Sequence, residues 1–89
     1  MLKKKITINN KLGMHARAAA QFVRTVTAFS SEVTVRYEKK EASGHSIMGL
    51  MMLAASRNVD IEILVSGEDE KKAMDALVKL VSDKFGEKE

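Results

Sequence analysis

The sequence predicts an α+β fold, a two-layer sandwich in which helices cover one face of an antiparallel sheet. Its strand-like segments alternate apolar with polar residues, which is typical of sheets that keep one face in water. Other segments repeat apolar residues at helical spacing. The elements follow in the order β-α-β-β-α-β-α along 89 residues, a length that suits one domain spanning 1–89. This pattern does not determine the order of the strands within the sheet.

Four segments have the character of strands. Residues 2–8 place Leu2, Ile6 and Ile8 on one face, and the turn "NNKLG" follows. A second strand is predicted within "SSEVTVRY", and "EKKEAS" is predicted to be a turn into a short edge strand. The last strand, "DIEILVS", directs alternate apolar side chains to one face. Each strand therefore has one face suited to the core.

Three segments have the character of helices. Residues 16–29 carry an amphipathic stripe that includes Phe22 and Val26. A short apolar helix is predicted in "SIMGLMMLAAS", with Leu50, Leu53 and Ala54 facing the sheet and Met52 a candidate for the core. The third helix is predicted over about 68–85, with acidic residues in its first turn and Gly86 at its end.

Charge and composition narrow the classes of function. Residues 1–45 contain nine Lys/Arg and three Asp/Glu, whereas residues 46–89 contain six and nine. The basic half suits an acidic partner or a phosphate, although it is also compatible with an ordinary solvated surface. With four aromatic residues, the chain lacks a stacking platform for nucleic acid. The absence of cysteine and of a long apolar run predicts a soluble cytoplasmic protein without membrane insertion.

The stretch "GMHARAAA" (13–20) places His15 directly before the first predicted helix. From position alone, His15 is most simply an ordinary polar surface residue. Histidine is nevertheless a poor helix cap, while its neutral ring is a good nucleophile. The positive helix end and the Arg17 guanidinium are both suited to an anion. With His45 as the only other histidine and no cysteine, we expect neither a metal site nor a cofactor.

Two separated motifs, "LGMHARAAAQFV" and "GHSIMGLMMLAA", followed by "GEDEKKAMDALVKLVSDKFGE", resemble the histidine-containing phosphocarrier (HPr) family of the bacterial phosphotransferase system. The resemblance runs nearly end to end. It implies an open-faced β-sandwich, with a four-stranded antiparallel sheet covered by three helices. It also implies a phosphocarrier without independent enzymatic turnover.

The resemblance assigns roles to particular residues and partners. His15 corresponds to the histidine that accepts a phosphoryl group on Nδ1 from enzyme I and passes it to an enzyme IIA domain. Arg17 corresponds to the arginine that stabilises the phosphate, together with the backbone N–H groups of Ala16 and Arg17. Ser46 corresponds to a regulatory site phosphorylated by HPr kinase/phosphorylase, although a simple helix-cap role is an equal alternative. The partner surface corresponds to Met14, Ile47, Met48 and Met51.

The sequence departs from the family at two positions. Ala18 stands where most members have proline, and we expect transfer to be retained with a less rigid first turn. His45 stands where lysine is frequent, which weakens the prediction of kinase recognition at Ser46.

Several alternatives stay open at this stage. The second motif also resembles nitrogen-branch paralogues, so the sequence does not separate that branch from the sugar-transport branch. A regulatory module that acts only by protein binding is a second reading, which the presence of His15 and Arg17 disfavours. A nucleic-acid-binding domain is a third and weaker one. We expect a monomer.

Overall fold

The computed structural model describes all residues, 1–89, and has the predicted α+β architecture. Four strands and three α-helices follow in the expected order, and a short 3₁₀ helix follows the last of them. The strands are β1 (Leu2–Thr7), β2 (Glu32–Tyr37), β3 (Lys40–Ser43) and β4 (Asp60–Ser66). The helices are α1 (Ala16–Thr27), α2 (Ile47–Met52) and α3 (Glu70–Ser82), followed by the 3₁₀ turn Lys84–Gly86.

The sheet is antiparallel throughout, with strand order β1-β4-β2-β3. β4 lies in the interior between β1 and β2, and β3 is an edge strand, as the sequence predicted. Ile63 of β4 pairs with Lys4 on one side and with Val35 on the other. The inner face of the sheet therefore joins strands that are far apart in the chain.

The core lies between the sheet and the helices. Phe22 and Val26 of α1, Leu50 of α2 and Leu77 of α3 are all fully buried in one apolar cluster. The opposite face of the sheet carries mostly charged and polar side chains, as expected from strand alternation. Leu64 is an exception, because it is an apolar residue on that face and is buried, with 6% of its surface exposed.

The second helix is shorter than predicted. It ends at Met52, and Ala54 has a φ of 57°, a left-handed conformation that takes the chain out of the helix. The prediction that Ala54 faces the core is wrong, because Ala54 is exposed while Ala55 is buried. The suggestion that Met52 fills the core is also wrong, since Met52 is 72% exposed.

The third helix also ends earlier than predicted. α3 stops at Ser82, and Lys84 and Phe85 both have positive φ, at 59° and 55°. Phe85 is buried in the core with 2% of its surface exposed. Burial of this ring explains the early stop, because the chain leaves the helical path to bring Phe85 inward. The C-terminal residues then run toward the β1–α1 loop, where the Lys11 N–H donates to the Glu89 carbonyl. None of the helices combines the length and the apolar character that crossing a membrane requires.

Candidate functional site

The loop between β1 and α1 presents His15 at the N-cap position of α1. His15 has extended backbone angles, φ −86° and ψ −178°, and its side chain forms no capping hydrogen bond. Gly13 has a φ of 64°, and a β-carbon there would lie 2.5 Å from the Ala55 carbonyl oxygen. The Met14 N–H donates to that same carbonyl at 2.9 Å. Close packing of the loop against residue 55 therefore fixes where His15 emerges.

The start of α1 is open to an anion. The Ala19 N–H donates to the His15 carbonyl, but no backbone carbonyl accepts from the N–H groups of Ala16, Arg17 or Ala18. Unpaired N–H groups and the aligned peptide dipoles make a helix start electropositive. Ala16 and Arg17 are exposed, whereas Ala18 is fully buried. The predicted phosphate-binding N–H groups therefore lie at an accessible helix end.

Arg17 lies beside an open cleft of about 680 Å³. The cleft is lined by Arg17 and Gln21 of α1 and by residues 85–89 of the C-terminal segment. Arg17 is exposed and forms no ion pair within the protein. Its guanidinium therefore has donors available for an anion such as a phosphate.

Glu87 contacts His15 from the far end of the chain, and sequence reasoning missed it. Glu87 Oε2 lies 2.5 Å from His15 Nε2, while Glu87 Oε1 accepts a hydrogen bond from Asn10 Nδ2 at 3.0 Å. Asn10 is fully buried, and its Nδ2 also donates to the Gly13 carbonyl. His15 and Glu87 are 72 residues apart. No local motif signals such a pair, because the contact depends on the turn that buries Phe85.

The two ring nitrogens of His15 differ in their contacts: Nε2 contacts Glu87, and Nδ1 contacts no hydrogen-bonding group. The His15 side chain is 28% exposed, and that of Glu87 is 12% exposed. A neutral imidazole has one N–H donor and one lone-pair acceptor. A nucleophilic ring nitrogen beside an electropositive helix end and an unpaired arginine can accept a phosphoryl group.

Ser46 begins α2 in a different way. Its side-chain oxygen accepts a hydrogen bond from the Gly49 N–H at 2.9 Å, so Ser46 is a genuine N-cap. The residues that follow are exposed and apolar: Ile47 is 40%, Met48 67% and Met51 37% exposed. These three residues of α2 are the exposed part of the predicted partner surface, and we call them the docking surface.

Met14 does not share this exposure, and its inclusion in the predicted partner surface was wrong. Met14 is 4% exposed and belongs to the core cluster. Its N–H donates to the Ala55 carbonyl, and its side chain packs in the core. Met14 therefore anchors the loop that carries His15. It offers no surface to a partner.

The fold and the site define a small α+β protein with a partly exposed histidine at an electropositive helix start. A family model described as "PTS HPr component phosphorylation site" matches residues 2–83. The chain is 51% identical to the phosphocarrier protein HPr of Neisseria meningitidis, and the match covers all of both proteins. It is 41% identical to the phosphocarrier protein NPr of Shewanella violacea, covering 97% of this chain and 94% of that relative.

Solved structures give the same result. An HPr from Thermoanaerobacter tengcongensis superposes with a TM-score of 0.94 at 43% identity, with full coverage of both chains. A structure described as an HPr dimer from the same organism is 45% identical, with a TM-score of 0.75 and coverage of 98% and 100%. The chain belongs to the HPr family of phosphocarrier proteins of the phosphotransferase system.

Proposed function

We propose that this protein accepts a phosphoryl group on Nδ1 of His15 from phosphorylated enzyme I and passes it to a histidine of an enzyme IIA domain. The observation that carries the proposal is the free Nδ1 at the open start of α1, with Nε2 occupied by Glu87. The N–H groups of Ala16 and Arg17 and the Arg17 guanidinium are placed to bind the phosphoryl oxygens. Reversible transfer requires positioning and charge stabilisation, which this arrangement supplies.

The proposal is tested by incubating the protein with phosphoenolpyruvate and cognate enzyme I. We expect one phosphate per chain, labile in acid and stable in alkali, located on His15 by mass spectrometry. His15→Ala should abolish labelling. Arg17→Ala should lower kcat/KM by about tenfold to a hundredfold, because one charged donor to the phosphate is lost. Labelling that survives His15→Ala would refute the proposal.

Delivery to an acceptor is tested with purified enzyme IIA domains. We place the contact on the docking surface, because exposed methionine and isoleucine side chains suit a surface that meets several partners. Met48→Lys should slow transfer, and it should not affect folding because Met48 is 67% exposed. Ser66→Lys, at the exposed end of β4, adds the same charge away from both α2 and the start of α1 and is the matched control. A panel containing sugar-branch and nitrogen-branch acceptors distinguishes the two branches, since both HPr and NPr relatives match this chain.

Ser46 is proposed as a regulatory phosphorylation site. A phosphate on Ser46 adds about 1.5 to 2 negative charges directly before the docking surface. It also meets the positive end of α2, so it does not need to unfold the helix. Treatment with HPr kinase/phosphorylase and ATP should add one phosphate that Ser46→Ala prevents. No modification of the wild-type protein would leave Ser46 as a helix cap alone.

The cellular location and the oligomeric state of the protein are part of the same proposal. We expect the carrier to act in the bacterial cytoplasm as a monomer of 9.8 kDa. One solved relative is described as a dimer, so light scattering across a concentration series is the direct test. A mass of twice the chain at micromolar concentration would contradict the monomer.

A further inference from the structure

A short series of hydrogen bonds leads from a backbone carbonyl to the ring of His15. Asn10 Nδ2 donates to the Gly13 carbonyl at 2.9 Å and to Glu87 Oε1 at 3.0 Å, and Glu87 Oε2 contacts His15 Nε2. A backbone carbonyl can only accept, so the nitrogen of the Asn10 amide must face Gly13. That requirement also determines which group Asn10 presents to Glu87. The orientation of a buried amide is thus set by its surroundings.

The same reasoning extends to the histidine. Because Asn10 presents an N–H₂ group, Glu87 must accept at Oε1, and an ionised carboxylate also accepts at Oε2. His15 Nε2 must then carry the proton that it shares with Oε2. In a neutral ring, this places the lone pair on Nδ1. We propose that Glu87 is a positioning residue, which holds His15 as the Nε2–H tautomer and so keeps Nδ1 nucleophilic.

This inference rests on the proposed phosphorylation of His15 at Nδ1 and explains how that atom is made available. The Nδ1 lone pair forms the new P–N bond to the phosphoryl group of a phosphohistidine donor. The P–N bond of the donor breaks, and its electron pair returns to the donor ring nitrogen. The proton stays on His15 Nε2, hydrogen-bonded to Glu87, so no external acid or base is required. The reverse sequence delivers the group to the acceptor.

The burial of these groups supports a role for Glu87 beyond that of a surface contact. Asn10 is fully buried and the Glu87 side chain is 12% exposed, so water competes poorly for their hydrogen bonds. The C-terminal segment also has two other anchors, the buried ring of Phe85 and the Lys11 N–H bond to the Glu89 carbonyl. The segment does not depend on Glu87 alone to stay in place. Glu87 can therefore be replaced without releasing the whole segment.

Glu87→Gln is the sharpest variant, because it keeps the shape and changes only the hydrogen-bonding pattern. The glutamine oxygen must accept from Asn10, so its N–H₂ group faces His15 Nε2. Nε2 is then required to accept, and the proton moves to Nδ1. Nitrogen-15 NMR of the histidine ring, recorded where titration shows it to be neutral, should report the Nε2–H tautomer in the wild type and more Nδ1–H in the variant. Labelling by enzyme I should fall at least about tenfold in kcat/KM, because the ring must first exchange its proton.

Glu68→Gln is the matched control, since it makes the same chemical change at an exposed carboxylate outside the His15 site. It should leave both the tautomer and the labelling rate unchanged. An Nδ1–H tautomer in the wild-type neutral ring would overturn the inference, as would a Glu87→Gln protein with the wild-type tautomer and rate. The wild-type spectrum needs no variant and no phosphoryl donor. It therefore stands even if phosphorylation fails, an outcome that would refute the proposed function instead.

Discussion

The starts of α1 and α2 have similar backbones but opposite chemistry. Both helices begin after a residue in an extended conformation, His15 for α1 and Ser46 for α2. The Ser46 hydroxyl closes its helix by accepting from the Gly49 N–H, whereas His15 leaves the first N–H groups of α1 unpaired and directs its ring to Glu87. A closed start contributes stability, and an open one leaves donors for an anion. The protein thus lacks a side-chain cap at the position where we propose that the phosphoryl group binds.

The largest effect is expected from replacing His15 with a residue that can cap the start of α1. His15→Ser should abolish labelling by enzyme I, since no ring nitrogen is left. His15→Ala should abolish it equally, and both variants lose the Glu87 contact. The serine variant should nevertheless be more stable than the alanine variant by about 1 kcal/mol, because serine caps and alanine does not. Urea unfolding of the two variants measures this difference, and equal stabilities would show that the start of α1 cannot be capped.

The next effect concerns the turn that delivers His15 to the helix. Gly13→Ala should destabilise the fold by about 2–3 kcal/mol, through left-handed strain and the clash with the Ala55 carbonyl. Gly86→Ala is the control, because Gly86 also has positive φ but has no atom within 4 Å of its would-be β-carbon. It should cost only the strain, about 1 kcal/mol. Equal losses in thermal or urea unfolding would contradict the close approach at residue 13.

Removing the side-chain cap of α2 should have a smaller effect on stability. Ser46→Ala removes the acceptor for the Gly49 N–H and should lower the free energy of unfolding by about 1 kcal/mol. Labelling of His15 should be unaffected, because α1 is untouched. Ser56→Ala, an exposed serine without a side-chain hydrogen bond, is the control and should be near neutral. A Ser46→Ala protein as stable as the wild type would mean that the cap contributes little to α2.

The smallest effect on stability is expected at the start of α3, from replacing Asp69. Asp69 is the N-cap residue of α3 but makes no capping bond. A hydrogen bond from the Ser31 hydroxyl, followed by one from the Ser30 N–H, holds the pKa of Asp69 below its usual value. Because the pKa of Asp69 is lower in the folded than in the unfolded protein, its ionised carboxylate stabilises the native state when the pH is above the unfolded-state pKa. This stabilisation is lost as the pH falls through the folded-state pKa.

Asp69→Asn should therefore be slightly less stable than the wild type at neutral pH. The difference should shrink below about pH 4, where the carboxylate of the unfolded wild-type chain becomes protonated. Thermal unfolding of both proteins from pH 7 to pH 3 measures this trend. A difference that does not change with pH would show that the charge of Asp69 makes no contribution.

Local pattern predicted the elements well because helices and strands depend on near neighbours. The alternation around Ile61 and the spacing of Phe22 and Val26 each placed the correct face in the core. The ends of the helices were predicted less well. α3 stops early because Phe85 packs inward, a tertiary preference that a helical pattern cannot reveal.

The residues of the candidate site were likewise predicted in part and missed in part. His15, Arg17 and Ser46 were identified from their positions at helix starts and from resemblance to a family. Met14 was misassigned because an apolar residue beside a motif looks the same whether it points outward or inward. Glu87 was missed because its charge is ordinary in a polar C-terminal segment.

The sequence by itself determined where α1 and α2 begin and which residue precedes each of them, because capping and amphipathic spacing are local properties. The third helix, predicted to begin at about residue 68, begins at Glu70. The sequence also determined that His15 precedes a helix without being a good cap. Only the tertiary structure decided the strand order, with β4 between β1 and β2, and brought Glu87 to the ring of His15 and Asn10 to Glu87. Such contacts join residues up to 77 positions apart and follow from burying a shared core. The proposed nucleophile is therefore a local feature of the chain, while the contacts made by its ring are a product of the fold.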